Sequence, residues 1–373
     1  MSAHKTHGMG TGLEAPSWPA ITPGEARAAL AHFPQAGTLI ALVWHSPRPF
    51  SSAALARTDS GELFLKRHDA RLRSPEHLAQ EHAFIAHLAA HGAPVAHLLV
   101  ADTGATALAL DGWTWEVHRK AAGADLYRDR QSWTPFLSLD HARAAGAALA
   151  RLHDAAQGFD APPRPIQPLV TSLSILTARE PLATARAYVA ARPALGAYLQ
   201  GRAWWEELAV LFARHAADDL VPDLAAQPAL WTHNDWHPSN LLWSGRGDVA
   251  TVLDFGLSDR TCALHDLAIA LERTTVQWLG LGGEAPVAEA EAAHALLCGY
   301  ASVRPLSAAD RALLARLLPL VHVEFAMSEA DYFYGVLGRR ADADLAWDGF
   351  LLGHAAWFLT PEGRALLASI TRG

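Results

Sequence analysis

Two short polar segments constrain this chain more than any other feature. Thr232–Asn240 reads THNDWHPSN and Asp254–Gly256 reads DFG; each follows a short apolar run in a half of the sequence that is otherwise helical in pattern. Read with period two, His233, Asp235 and His237 share one face of a strand. Two imidazoles and a carboxylate so placed could hold zinc with an open position, as in a hydrolase. Against that, Pro238 truncates the strand and the Pro-Ser-Asn run reads as loop. Zinc would also leave Asn240 and Asp254 with no role. The segment therefore reads as a catalytic loop, with His233 structural and His237 near the reacting groups.

The surrounding pattern is α+β. TLIALVWH and AALARTDSGELFLKRH are rich in strand formers, with a turn at Asp59-Ser60-Gly61. Ser74-Pro75 is a helix start, apolar Leu78, Phe84, Ile85 and Leu88 follow on one stripe, and Gly92 ends the helix. Glu81 lies on or beside that stripe, so it needs a cation or a path to water. Two more strands and a connector lead to Gly123, after which long helical stretches dominate. The expected organisation is a disordered arm over 1–20, a small β-rich N-terminal lobe over 21–119 and a larger helical lobe over 120–373. The loops carrying THNDWHPSN and DFG are then expected at the ends of short strands facing the smaller lobe.

Composition narrows the class. Half of the 373 residues are apolar, enough for a sizeable core. The net charge of −8 argues against a broad nucleic-acid footprint. The two cysteines, Cys262 and Cys298, are far apart, so a reducing cytoplasm is the simpler expectation than a disulfide scaffold. No run is apolar enough to span a bilayer, and the N-terminus has no signal-peptide core.

The spacing of Asp235, Asn240 and Asp254 fits the pattern H-x-D-x-x-x-x-N followed by D-F-G. Phosphoryl transfer needs a carboxylate to orient the attacking hydroxyl and take its proton. It also needs hard oxygen ligands for Mg2+. Asp235 supplies the first, Asn240 and Asp254 the second. Gly256 permits a sharp turn after the ligand.

On these residues the chain resembles the aminoglycoside phosphotransferase and choline kinase superfamily. HNDWHPSNLLW is similar to that family's catalytic loop, with Asn234 where a small residue is commoner. VLDFGLSDRTCALHDLA resembles its metal-binding strand and the following helix start at Asp266-Leu267-Ala268. GAALARLHDA, EHAFIAHLAAHGAPV and FLKRH resemble its Leu-His helix, its N-lobe helix and its lysine strand. The likeness runs from about residue 38 to 275. DFGLSDRTCALHDLAIALER further resembles the bacterial branch with type II homoserine kinases and stress-response kinases. The resemblance implies a two-lobed protein-kinase-like fold, with ATP and Mg2+ as cofactors. Lys66 would clamp the phosphates, steadied by Glu81, and adenine would lie against the connector from Val117 and His118 to Lys120. SPRPFSS has no glycine where protein kinases have a Gly-rich loop, so Ser51 and Ser52 are the candidate phosphate donors there.

The expected acceptor is a hydroxyl of a small molecule, an antibiotic or a metabolite such as an amino alcohol. Glu324, Glu329, Asp331, Tyr332 and Tyr334 would suit a cationic one. Arg273 and Trp278 either line that pocket or pack the core. The alternatives are a catalytically silent nucleotide-binding regulator and the zinc hydrolase built on His233, Asp235 and His237.

Overall fold

The structure is a computed structural model and describes residues 5–7, 12–280 and 287–372. It divides into two compact units. One comprises the described residues up to Ala124 together with Ala250–Leu253; the other comprises Asp125–Val249 and Asp254 onward.

The first unit is built on a five-stranded antiparallel sheet. Its strands lie in the order Leu39–His45, Ser52–Thr58, Gly61–Asp69, Trp113–Arg119, Ala107–Leu110. Asp59 and Ser60 turn the second strand into the third, as expected. Asp111 and Gly112 join the last two with positive φ at both residues, 51° and 78°. That is the backbone demanded by a tight hairpin turn that follows strand twist, and Asp-Gly meets it at little strain.

Strand alternation gives this sheet two unlike faces. Leu63, Leu65, Trp115 and Val117 join an apolar cluster with Ala26, Ala29, Leu30 and Phe33 of the Pro23–Leu30 helix. Arg67 closes this face, its guanidinium carbon 4.2 Å from the Trp113 ring centroid and its Nη1 donating 2.6 Å to Glu25. The opposite face is polar. Lys66 pairs in register with Glu116, and the Pro75–Ala90 helix brings His82 to that carboxylate. Ser74 caps this helix, its Oγ accepting from the His77 N–H at 3.3 Å.

Part of the arm expected to be disordered lies outside the described residues. Its described portion is ordered: Thr6–His7 pairs with Leu13–Glu14, and Trp18 is buried edge-on against Trp113 with ring centroids 6.0 Å apart. An indole has a large area to remove from water, and Trp113 gives it a place to go.

The second unit is mainly helical. Leu139–Ala155 crosses Ala290–Ala301 at a glycine on each: a Cβ on Gly146 would run into the backbone of Leu296, and one on Gly299 into Arg143. The approach lets Tyr300 reach His153, with Oη and Nδ1 2.9 Å apart. The Ala229–Thr232 strand pairs antiparallel with Asp259–Cys262. The latter strand was missed in sequence, since Asp-Arg-Thr-Cys has little of a strand's apolar character. The Ala263–Thr275 helix follows directly and is buried from Leu264 to Thr275. Helix Val323–Asp331 is buried throughout and runs into a π-helical turn at Tyr332–Val336.

The glycine crossing gives a stability test. Ala is the better helix former, yet in Gly299→Ala the added methyl has backbone rather than a movable side chain in its way. We expect a loss of roughly 1–3 kcal/mol in urea unfolding; a gain in stability would mean that the helices do not cross as closely as described.

Candidate active site

Thr232 ends its strand and the chain must turn at once. It does so at Asn234, which takes φ 59°, a left-handed conformation that Asn tolerates better than most side chains. This explains why a small residue is commoner here, and the Asn side chain offsets the strain. Its Oδ1 accepts from Thr232 Oγ1 at 2.8 Å and Thr261 Oγ1 at 3.3 Å, and its Nδ2 donates to the carbonyls of Thr171 and Leu257 at 3.3 and 3.4 Å.

The loop backbone is held by Asp266. The N–H groups of His233 and Asn234 donate to its two carboxylate oxygens at 2.9 and 2.8 Å, and His153 Nε2 lies 3.0 Å from Oδ2. Burial alone would push this carboxyl up; the His153 bond and charge, with His233, outweigh it and hold Asp266 below its ordinary value. In sequence Asp266 marks the start of the helix after the Asp-Phe-Gly segment. Its position explains the Leu152-His153 signature too, since His153 is the third group on that carboxylate.

Asp235 follows, its side chain 16% exposed. Asn240 Nδ2 donates 2.9 Å to Asp235 Oδ2 and 2.9 Å to the Asp235 carbonyl. Both bonds use the amide nitrogen, so Oδ1 is the Asn240 atom left to face a cation. Arg273 forms a direct ion pair with Asp235 Oδ1, and His237 Nε2 stands 3.5 Å from the same oxygen. His233 packs edge-on against Phe255, ring centroids 4.8 Å apart, which interlocks the loop with the Asp-Phe-Gly segment. Asp254 is exposed and left-handed at φ 56°, and Gly256 N–H donates to its Oδ1 at 3.3 Å. Asp254 and Asn240 thus offer a carboxylate and an amide oxygen, the donors Mg2+ prefers.

The zinc arrangement is not formed. His233 Nδ1 accepts the Asp235 N–H at 3.1 Å, and His237 Nδ1 lies 2.9 Å from Ser239 Oγ. Among the described residues, the trio whose donor atoms converge is a different one: Glu272, His322 and His354.

In the first unit, Lys66 is nearly buried with Nζ 3.9 Å from Glu116 Oε1. Glu116 is the residue missed in sequence. His68 reaches its Oε1 at 3.0 Å, and His82 and His118 reach Oε2 at 2.9 and 3.0 Å. Burial pushes this carboxyl up, but the three imidazoles overcome it and hold it well below the usual range. Strand register would have found it, since it is directly opposite Lys66. Glu81 is buried on the Pro75–Ala90 helix, beside His82 in sequence.

The residues expected at the nucleotide have these partners within the chain. The Val117 side chain is in the apolar cluster and its carbonyl accepts the Leu99 N–H at 2.8 Å; His118 turns to Glu116. The N–H groups of Arg119 and Lys120 donate to the carbonyls of His97 and Glu62. Ser52 Oγ donates 2.8 Å to the Pro19 carbonyl, so this hydroxyl is committed; Ser51 sits half-buried on the preceding bend.

The acidic and aromatic stretch also resolves. Glu324 accepts from Ser174 Oγ at 2.9 Å and the Ile175 N–H at 2.6 Å, as well as from Ser172. Asp331 accepts the Leu195 N–H at 3.0 Å, Tyr332 is fully buried, and Tyr334 contacts the Tyr198 ring. Glu324 and Asp331 are thus committed to the backbone of other segments and the two tyrosines to packing, leaving Glu329 as the acid of the stretch not committed in this way. Trp278 packs, stacked 3.7 Å from the His354 ring.

A sheet-bearing unit, a helical unit and interlocked HxDxxxxN and DFG loops define a protein-kinase-like phosphotransferase. The chain belongs to the phosphotransferase enzyme family, whose profile matches residues 49–306, and is a kinase of small molecules. It is 26% identical over 279 residues to a homoserine kinase of Caulobacter sp. (strain K31), covering 70% of this chain and 71% of that one. Among solved structures it resembles a microcompartment-associated aminopropanol kinase, with TM-score 0.56, 20% identity and coverage of 92% and 100% of the two chains. An amicoumacin kinase bound to AMP-PNP, Ca2+ and its antibiotic gives TM-score 0.55, 16% identity and coverage of 94% and 92%. No helix among the described residues is long and apolar enough to cross a membrane.

Behind Arg273 the buried charges continue. His322 Nε2 is 3.6 Å from Glu329 Oε2, His322 Nδ1 is 3.6 Å from Glu272 Oε1, and His354 Nδ1 is 2.7 Å from the same Glu272 oxygen. The last separation is that of a hydrogen bond. Burial opposes charge on His322, but Glu272 and Glu329 outweigh it and raise its pKa to about 9; burial holds neighbouring His354 down. A folded-state value above the unfolded ~6.5 contributes stability that is complete below that pH. It is lost as pH rises through about 9. We therefore expect urea stability to fall by roughly 3 kcal/mol between pH 6.5 and 9.5, and this slope to vanish in His322→Gln. An equal slope in the variant would assign the titration elsewhere.

Proposed function

We propose that the protein transfers the γ-phosphoryl group of ATP to an alcohol oxygen of a small acceptor. The bond from the γ-phosphorus to the ADP oxygen breaks, a new bond forms to the acceptor oxygen, and the hydroxyl proton passes to Asp235. Asn240 and Arg273 hold Asp235 in place for this role. The observation that carries the reading is the Asp235–Asn240 bond, because it orients the base and turns the amide oxygen to metal duty with one contact.

In this reading Asp254 and Asn240 would hold Mg2+, which when bound offsets phosphate charge. Lys66 takes the nucleotide phosphates, and Glu81 and Glu116 keep its ammonium group placed. Ser51 contributes through its backbone or hydroxyl, His118 lies on the Lys66 face of the sheet, and Val117 anchors the same strand from the apolar face. The division of labour follows an N-terminal lobe over 21–119 and a C-terminal lobe over 120–373, in a cytoplasmic setting that supplies ATP. Homoserine and aminopropanols, taken from the names of the relatives, head the acceptor panel.

The test is acceptor-dependent ADP release coupled to detection of the phosphate ester. Asp235→Asn should bind Mg-ATP as the parent does and turn over at least roughly 10²-fold more slowly. Asp254→Ala should lose the tightening of ATP binding by Mg2+ in calorimetry. Normal turnover in the first variant, or unchanged Mg-ATP affinity and activity in the second, would refute these assignments.

A further inference from the structure

Arg273 pairs with Asp235, and the charge of Glu329 bears on Arg273; both are buried, and each has an atom that makes no hydrogen bond. Arg273 is 1% exposed and its Nε has no hydrogen-bond partner. Its guanidinium carbon lies 5.1 Å from the Trp133 ring centroid and 4.9 Å from that of Phe325, with Asp235 on one Nη. Glu329 is likewise 1% exposed, and its Oε2 makes no hydrogen bond. The charges of Arg273 and Glu329 bear on one another, and burial lowers the pKa of the first, to about 9, and raises that of the second. Arg273 is paired with Asp235 and Glu329 faces His322, yet Arg273 Nε and Glu329 Oε2 are buried with hydrogen-bonding capacity to spare.

Asp235 marks where the acceptor hydroxyl must lie. Arg273 touches Asp235, so what it recognises is only a few bonds from that hydroxyl. A guanidinium held between aromatic rings is rigid, and its Nε edge suits a planar carboxylate. Glu329 suits an ammonium group. Glu324 and Asp331 are committed to other parts of the chain, which removes the acidic surface a polycation would use. Resting on the kinase reading above, we propose that the acceptor is a small hydroxy amino acid, its carboxylate bound by Arg273 and its ammonium by Glu329.

Three alcohols of matched length test this: L-homoserine, 3-aminopropan-1-ol, which lacks only the carboxylate, and 4-hydroxybutanoate, which lacks only the ammonium. We expect kcat/KM for L-homoserine to exceed that for each of the others by roughly 10²-fold or more. Arg273→Lys should collapse the ratio to 3-aminopropan-1-ol and Glu329→Gln the ratio to 4-hydroxybutanoate, whatever either does to kcat. Thermal melts establish that the variants fold, and calorimetry of L-homoserine binding reads recognition without turnover. Equal use of 3-aminopropan-1-ol, or ratios that survive both substitutions, would overturn the acceptor class and leave the kinase reading standing. Homoserine binding lost in Arg273→Lys, with no phosphate ester from any alcohol, would support the recognition and overturn the kinase reading. Neither binding nor transfer would overturn the acceptor class.

Discussion

The Asp266 carboxylate carries the active loop. It is buried, accepts the N–H groups of His233 and Asn234, and meets the imidazole of His153. Two backbone donors that a tight turn would otherwise leave unsatisfied are met by one charged acceptor, the stronger kind of hydrogen bond. The left-handed turn at Asn234 then becomes sustainable, and Asp235 leaves it aimed at Asn240 and Arg273. The more distant packing serves the same end. The glycine crossing of Leu139–Ala155 with Ala290–Ala301 brings Tyr300 to His153, which fixes the imidazole that supports Asp266.

Much of this was legible because it is local. Ser74-Pro75, Asp59-Ser60-Gly61 and the alternation of Leu63, Leu65 against Phe64, Lys66 are short-range signals, and they place the sheet and its helix. The family was legible because its H-x-D-x-x-x-x-N and D-F-G motifs fix both residue type and spacing. What escaped is set by tertiary contacts. Glu116 gains its role from strand register and from His82 on a helix distant in sequence. Ser52 was offered to phosphate because nothing local reveals its bond to the Pro19 carbonyl. Asp259–Cys262 is polar by composition yet pairs as a strand because Ala229–Thr232 is there to receive it. Trp18, in a segment of loop-like composition, is ordered by Trp113.

The acid-rich stretch from Glu324 to Asp331 shows how burial changes the meaning of charge. In sequence it suggests an anionic wall for a cationic acceptor. In the fold, Glu324 and Asp331 receive backbone N–H groups from elsewhere in the helical unit, and Glu329 faces His322, which also faces Glu272, while its charge bears on Arg273. Arg273 pairs with Asp235 and its charge bears on Glu329, so the electrostatics of Asp235 and of the C-terminal helices are coupled. The polar face of the sheet repeats the device on another scale, with one carboxylate, Glu116, set among Lys66 and three histidines.

The central claim is that the Asp266 carboxylate holds the loop that presents Asp235. Amide hydrogen exchange at His233 and Asn234, compared between the parent and Asp266→Asn, tests it most directly. The account predicts that both amides lose protection in the variant by at least roughly tenfold, while amides in the Leu139–Ala155 helix keep theirs and kcat falls. Unchanged protection at His233 and Asn234, with unchanged kcat, would contradict it.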